Sequence, residues 1–295
     1  MRKAAVLFIC ALALLVFVGA SLIQSLLVIQ RIAAVSAVQG IVKIRPLGDN
    51  AFLPLGARAH VRAGDLLQTG DGGRVTLNWV DGSRVRVGPR STLEVMRCQI
   101  NKANDAETYL FKLDVGDIWV RVLRGLTGQS KFEIRTPTAT AGVRGTVFSV
   151  SVKPDGATSV AVYRGKVALK AGEQELSVTE REVGAVSPSA RAEVRSIGAA
   201  EQAQWEQNTD VARPELGVSE PAGGKLPAGA TEVVVKGVAE RTADVTVNGR
   251  PVGLGLKGQF ETRLPVAADA SGFDVIVRAA DSKGFDSVVV KRLSR

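Results

Sequence analysis

Side chains able to act as nucleophile, base or metal ligand are sparse in this chain. One histidine, His60, and two cysteines, Cys10 and Cys98, supply all the imidazole and thiol chemistry in 295 residues. With no second histidine, and no cysteine near His60 in sequence, neither a catalytic triad nor a multi-histidine metal site can be assembled. His60 reads as structural. Asp65, Asp71, Asp81 and Asp155 sit beside glycines, where an Asp side chain bonds the backbone two residues on. A facing carboxylate pair of the glycosidase kind is the one hydrolytic arrangement the sequence leaves open. Gly70-Asp71-Gly72-Gly73 lacks the helix and the Lys-Ser/Thr of a phosphate loop, so it reads as a hairpin turn. The chain reads as a non-enzyme with no cofactor, no metal and no catalytic residue.

Arg144 has the richest chemistry of any single position. Within Val143-Arg144-Gly145-Thr146 its five-donor guanidinium can fold inward onto backbone carbonyls and a carboxylate, or face outward to a ligand. The glycine and threonines around it favour the structural role. Gly145 then supplies a backbone angle that a side chain would oppose.

The elements that must position these residues read as short strands. In Arg74-Val75-Thr76-Leu77-Asn78-Trp79-Val80 and Ser83-Arg84-Val85-Arg86-Val87 apolar residues alternate at period two, and Asp81-Gly82 between them is a tight-turn signal. This predicts a hairpin with Val75, Leu77, Trp79, Val85 and Val87 inward. Phe132 to Ile134, Val147 to Val152 and Ser159 to Val162 repeat the pattern. Gly-Asp recurs at residues 64–65 and 116–117, and Arg-Gly at 144–145 and 164–165. Stacked similar turns of this kind fit a rolled or solenoid-like β architecture.

Thr136, Pro137, Ala139, Val143, Arg144, Gly145, Thr146 and Phe148 fall in place on the pattern Thr-Pro-x-Ala-x-x-x-Val-Arg-Gly-Thr-x-Phe, the signature of the FecR domain. Upstream, Gly64-Asp65, Gly73 to Leu77, Asp81-Gly82-Ser83 and Gly116-Asp117 are FecR-like in order and spacing, and Val160 to Val167 continues the match. The resemblance covers about residues 36 to 170. It implies an all-β periplasmic domain, best known from membrane regulators that relay a receptor signal to a sigma factor, in which these motif residues are structural and the ligand-binding residues are unknown.

Ala4 to Gln30 carries no charge and is mostly Leu, Val, Ile and Ala, long enough as a helix to cross the roughly 30 Å hydrocarbon core. Arg2 and Lys3 form a basic start, and Val18-Gly19-Ala20 offers a cleavage site. Because the apolar run continues past Ala20, residues 1–31 read as an uncleaved signal anchor, with a cleaved signal peptide as the alternative. The expected location is the inner membrane, single-pass, with the bulk in the periplasm. Cys98, cut off from Cys10 by the membrane boundary, reads as a buried small apolar residue.

From Val35 to Ala200, 23 Lys and Arg face 16 Asp and Glu, a surplus of +7; from Glu201 onward the balance is −1. A basic exported surface attracts anionic cell-wall polymers, although a solvated sheet face accounts for it better. Export disfavours nucleic acid. Residues 32–209 read as the FecR-like domain ending in a short helix, Ala199 to Gln207, which Trp205 packs back onto the sheet. Residues 210–229, with three prolines and Gly223-Gly224, read as a linker. Residues 230–295 resemble a bacterial Ig-like β-sandwich through Val245 to Gly249, Gly258 to Phe260 and Ala279 to Gly284. Only Met1, Arg2 and Lys3 precede the apolar run, too few for a cytoplasmic sigma-binding domain. The favoured reading is a membrane-anchored binding or scaffold module of the cell envelope, partnered by an envelope protein or a cell-wall polymer. An envelope signalling component working through a partner is the alternative.

Overall fold

The computed structural model describes residues 28–294 apart from 124–128, 190, 223, 227–228, 268–271 and 283. It is nearly all β, in two compact units that divide between Gln202 and Ala203.

The first unit is built from two sheets joined through one bent strand. In one sheet Thr92–Asn101, the first part of Ala106–Arg121, Lys131–Arg135, Thr140–Val143, Lys166–Ala171 and Gln174–Thr179 lie side by side. In the other, Ala33–Gln39, Arg74–Asn78, Arg84–Val87, the last part of Ala106–Arg121, Val147–Val152, Thr158–Arg164, Glu182–Val186 and Ala192–Ser196 follow in order. Ala106–Arg121 serves both: residues up to Val115 pair with Thr92–Asn101, and Gly116 to Arg121 pair with Val147–Val152. The chain crosses repeatedly from sheet to sheet, the rolled architecture that the stacked turns imply.

The core lies between the sheets, and alternation places it. Val75, Leu77, Trp79, Val85 and Val87 are all buried, with Val75 opposite Val87 and Leu77 opposite Val85. Trp79 from one sheet meets Tyr109 and Phe111 from the other edge-on, at 5.8 and 5.5 Å, and Phe132 packs on both at 5.6 and 5.3 Å. These four rings tie the two sheets together.

Cys98 is free and buried beside them, opposite Tyr109 in the sheet. Burial pushes its thiol up to about 12, against a smaller lowering by Trp79. The reactive thiolate is thus scarce at neutral and mildly alkaline pH. Iodoacetamide at pH 8 should leave Cys98 unmodified in the folded protein and label it in denaturant, as read by mass spectrometry of its peptide; rapid labelling without denaturant would contradict the burial.

One expectation changes at the first unit's start. Val28–Gln30, the last residues of the uncharged run, form a strand in register with Gln99 to Asn101, so the segment free to cross a membrane ends before Val28. Ala4 to residue 27 lies outside the described residues. Arg31, next in line, donates its backbone N–H to the Cys98 carbonyl at 2.7 Å and its guanidinium to Glu107 at 2.9 Å. No helix among the described residues is long and apolar enough to cross a membrane.

The second unit places a three-stranded sheet (Leu216–Glu220, Glu232–Ala239, Gln259–Pro265) and a five-stranded sheet (Gly224–Lys225, Asp286–Ser294, Gly272–Ala280, Asp244–Val247, Arg250–Val252) around Val235, Val245, Val247, Phe260, Val275 and Val277. Asn248 and Gly249, both at positive φ (46° and 80°), turn Asp244–Val247 into Arg250–Val252, as an Asn-Gly pair does in a two-residue hairpin. The stretch 210–229, expected as a linker, supplies the strand Leu216–Glu220, paired with Glu232–Ala239. The helix Ala199–Glu206 forms as expected, and its Trp205 lies edge-on to Phe285, 6.3 Å away.

Candidate functional site

The motif residues occupy two opposite ends of the first unit. At one end Thr136 to Ala139 close a turn: the Thr136 N–H donates to the Ala139 carbonyl at 2.8 Å, and the Ala139 N–H to Thr136 Oγ1 at 3.0 Å. Thr158 Oγ1 donates to Thr136 Oγ1 at 2.8 Å, and Pro137 lies beside Gly156. Val143 and Phe148 are buried in the core.

Val143 to Thr146 lie at the other end, where the chain crosses between sheets. Since Val143 faces inward, alternation sends Arg144 outward, and it is exposed. Thr146 is bonded into this turn from within. Fully buried, it donates Oγ1 to the Lys166 carbonyl at 3.1 Å, and its own carbonyl accepts the Val122 N–H at 2.9 Å. Gly145 takes φ +59° and Gly165 φ +91°, and a side chain on Gly165 would meet the Gly145 carbonyl at 3.1 Å. The two Arg-Gly pairs are thus neighbouring crossovers packed backbone to backbone. Thr146→Val, nearly equal in shape, should cost about 1–2 kcal/mol by removing the bond from this buried hydroxyl to the Lys166 carbonyl. Denaturant midpoints of the two proteins would measure it.

Asp65 and Asp81 are turn residues, as their contexts suggest. Asp65, buried after Gly64 (φ +93°), accepts the Leu47 N–H at 3.2 Å and the Arg62 N–H at 2.8 Å. Asp81 accepts from the Ser83 backbone N–H at 3.1 Å and from its hydroxyl at 2.7 Å, with Gly82 at φ +84°. His60 is exposed on the two-residue strand His60–Val61. Among the described residues no group of three His, Cys, Asp or Glu side chains converges on a possible metal position.

What the fold does collect is charge at the crossover end. The registers put Val28 beside Asn101, Lys131 beside Thr108, Val143 beside Val167, and Lys166 beside Thr179. Lys102, Lys131, Arg144, Arg164, Lys166 and Arg181 are therefore strung along one rim, all exposed. Six strands at about 4.8 Å spacing make that rim roughly 24 Å long. Sequence reading saw the basic surplus but not its position, because these cations come from five separate turns. At the opposite end lies a cleft of about 500 Å³ flanked by Lys153, Arg191 and Glu193, with the hydroxyls of Thr158, Ser159 and Ser187.

Residues 65–168 match the family described as FecR protein. The chain therefore carries a FecR domain, and the match takes in Asp65, the Asp81 turn and the whole Thr136 to Phe148 motif. No curated protein matches the chain. Among solved structures it is similar to two crystal structures of a candidate anti-sigma factor from Parabacteroides distasonis ATCC 8503, each at 19% identity and a TM-score of 0.40, covering 48% of this chain. The chain spans 64% of the length of those structures.

Proposed function

We propose that this chain is a non-enzymatic, membrane-anchored signalling component of the cell envelope, whose FecR domain works through a protein partner on the periplasmic side. The supporting observation is continuity. An uncharged, apolar segment runs directly into Val28–Gln30, which is hydrogen-bonded into the FecR-bearing unit, and Arg31 clamps onto the inward Glu107 of the long bent strand. A displacement that reaches Val28 is thus passed to Thr92–Asn101 and Ala106–Arg121 through these bonds. The motif residues serve as the scaffold of the crossovers, and the C-terminal sandwich acts as an Ig-like spacer or second binding module.

A second reading, a binding or scaffold module for an anionic cell-wall polymer, is favoured by Lys153 and Arg191 at the 500 Å³ cleft. Deleting the chain in its host and comparing transcripts separates the two. Signalling expects a small, coherent set of genes to change. Unchanged transcripts, together with lost retention of purified wall polymer, would put the scaffold reading in its place.

A further inference from the structure

We infer that the basic rim of the first unit is a docking surface for the anionic phospholipid face of the membrane that holds the N-terminal segment. The inference rests on the anchoring in the proposed function and adds an orientation and a lipid class to it.

The first argument is where the chain outside the described residues joins the fold. Val28 pairs with Asn101 at the tip of the hairpin that begins the rim, and one peptide bond, about 3.8 Å between Cα atoms, separates it from the apolar segment. Arg31 leaves no slack behind it, being bonded to Cys98 and Glu107. A segment that spans the bilayer up to residue 27 therefore brings this rim, and not the opposite end, to the headgroups. With no linker, the remaining freedom is tilt about Val28. The far corner at Glu180 and Arg181 either swings clear of the surface or lies down on it.

The second argument is how the two ends handle their cations. At the end away from Val28 four cations are paired, Arg90 with Asp71 at 3.2 Å, Lys112 with Asp114 at 2.9 Å, Arg135 with Glu133 at 3.8 Å and Lys170 with Glu175 at 3.5 Å, and Lys153 and Arg191 at the cleft are paired with no described acid. On the rim Lys102, Lys131, Arg164, Lys166 and Arg181 are exposed and make no ion pair with any described residue. The acids of this rim are Asp81, Asp105, Glu180 and Glu182. Of these, Asp81 is engaged by Ser83, and Glu182 accepts both the N–H and the hydroxyl of Thr179. Cations left without partners beside a negatively charged bilayer are each attracted to it, over a range of about one screening length. Exposed apolar residues occur at both ends (Ile29 and Val80 here, Ile41 there), so they do not discriminate.

The full chain, carrying Cys10→Ser and one reporter cysteine, tests this in vesicles. A fluorophore at Glu180→Cys reports the far corner of the rim, and one at Glu173→Cys the opposite end; quenching by a spin label on the lipid headgroup is the readout. In vesicles containing phosphatidylglycerol, quenching at position 180 should exceed that at 173 several-fold. The excess should collapse in phosphatidylcholine alone, and in about 1 M NaCl, where screening falls to roughly 3 Å. Lys102→Glu, Lys131→Glu and Lys166→Glu together should abolish it as well, and the salt arm keeps the test valid if that variant folds poorly. Resistance to alkaline carbonate extraction reports the anchor separately. A chain that resists extraction but shows equal quenching at 180 and 173, or quenching indifferent to lipid charge, overturns the docking surface and leaves the anchor standing. A chain that is extracted overturns both. Protection of position 180 by a purified anionic wall polymer, with none by phosphatidylglycerol, also overturns the lipid assignment.

Discussion

Phe111→Ala should lower the stability of the protein by about 3–5 kcal/mol, the range for removing a large aromatic from a packed interior. Phe111 is fully buried, faces Val95 and Ile134 across its neighbours in the sheet, and packs on Trp79 and Phe132 at 5.5 and 5.3 Å. Trp79 comes from the facing sheet, so the vacated volume would open where the two sheets hold each other, among rings whose neighbours are strands that cannot collapse far. Circular dichroism through a denaturant titration should show the midpoint shift. The loss should be larger than for Val75→Ala, which removes less surface from the same interior. A Phe111→Ala protein as stable as wild type would mean that the four-ring cluster does not join the sheets.

That cluster was only half legible beforehand. Alternation through Val75, Leu77 and Trp79 fixes which face of their strand is inward, and a period-two pattern needs no partner to be read. Nothing local says that Phe111 and Phe132 lie across from Trp79, because that depends on where Ala106–Arg121 bends. The turn at Asp81-Gly82 was readable since an Asp-Gly pair carries its own geometry. The buried Asp65 was readable as a turn residue, but its partner Leu47, eighteen residues back, was not. Val28 and Ile29 mislead for a different reason: a β-branched apolar pair at the end of an uncharged run suits a membrane helix and a strand alike, and pairing with Gln99 to Asn101 decides it. In the stretch 210–229 the prolines and glycines dominate the composition, yet Leu216 and Val218, two apart, are the alternation of the strand Leu216–Glu220.

The bend of Ala106–Arg121 depends on one position, and substituting it should have an effect at least as large as the loss of Phe111. Gly116 takes φ +101°, a conformation side chains rarely adopt, and a Cβ there would lie 2.1 Å from Ser91 Oγ and 2.5 Å from Ser91 Cα. Ser91 cannot give way freely. It is buried, its Oγ accepts the Asp117 N–H at 3.0 Å and donates to the Pro89 carbonyl at 3.1 Å, and its N–H is held by Thr69 Oγ1 at 2.8 Å. Thr69 Oγ1 in turn donates to the Gly88 carbonyl at 2.6 Å, and the Gly88 N–H donates to the Asp117 carbonyl at 2.8 Å. An alanine at 116 therefore combines backbone strain of about 1–3 kcal/mol with displacement of a backbone pinned by this network. The sum should reach about 4 kcal/mol or more, in the exceptional tail of single substitutions. Gly172→Ala is the matched control: φ there is +57°, and a Cβ would meet nothing within 4 Å, leaving strain of about 1 kcal/mol alone. Denaturant midpoints should separate the two variants widely. If they unfold together, the contact with Ser91 relaxes at little cost, and the strand does not depend on glycine to pass from one sheet to the other.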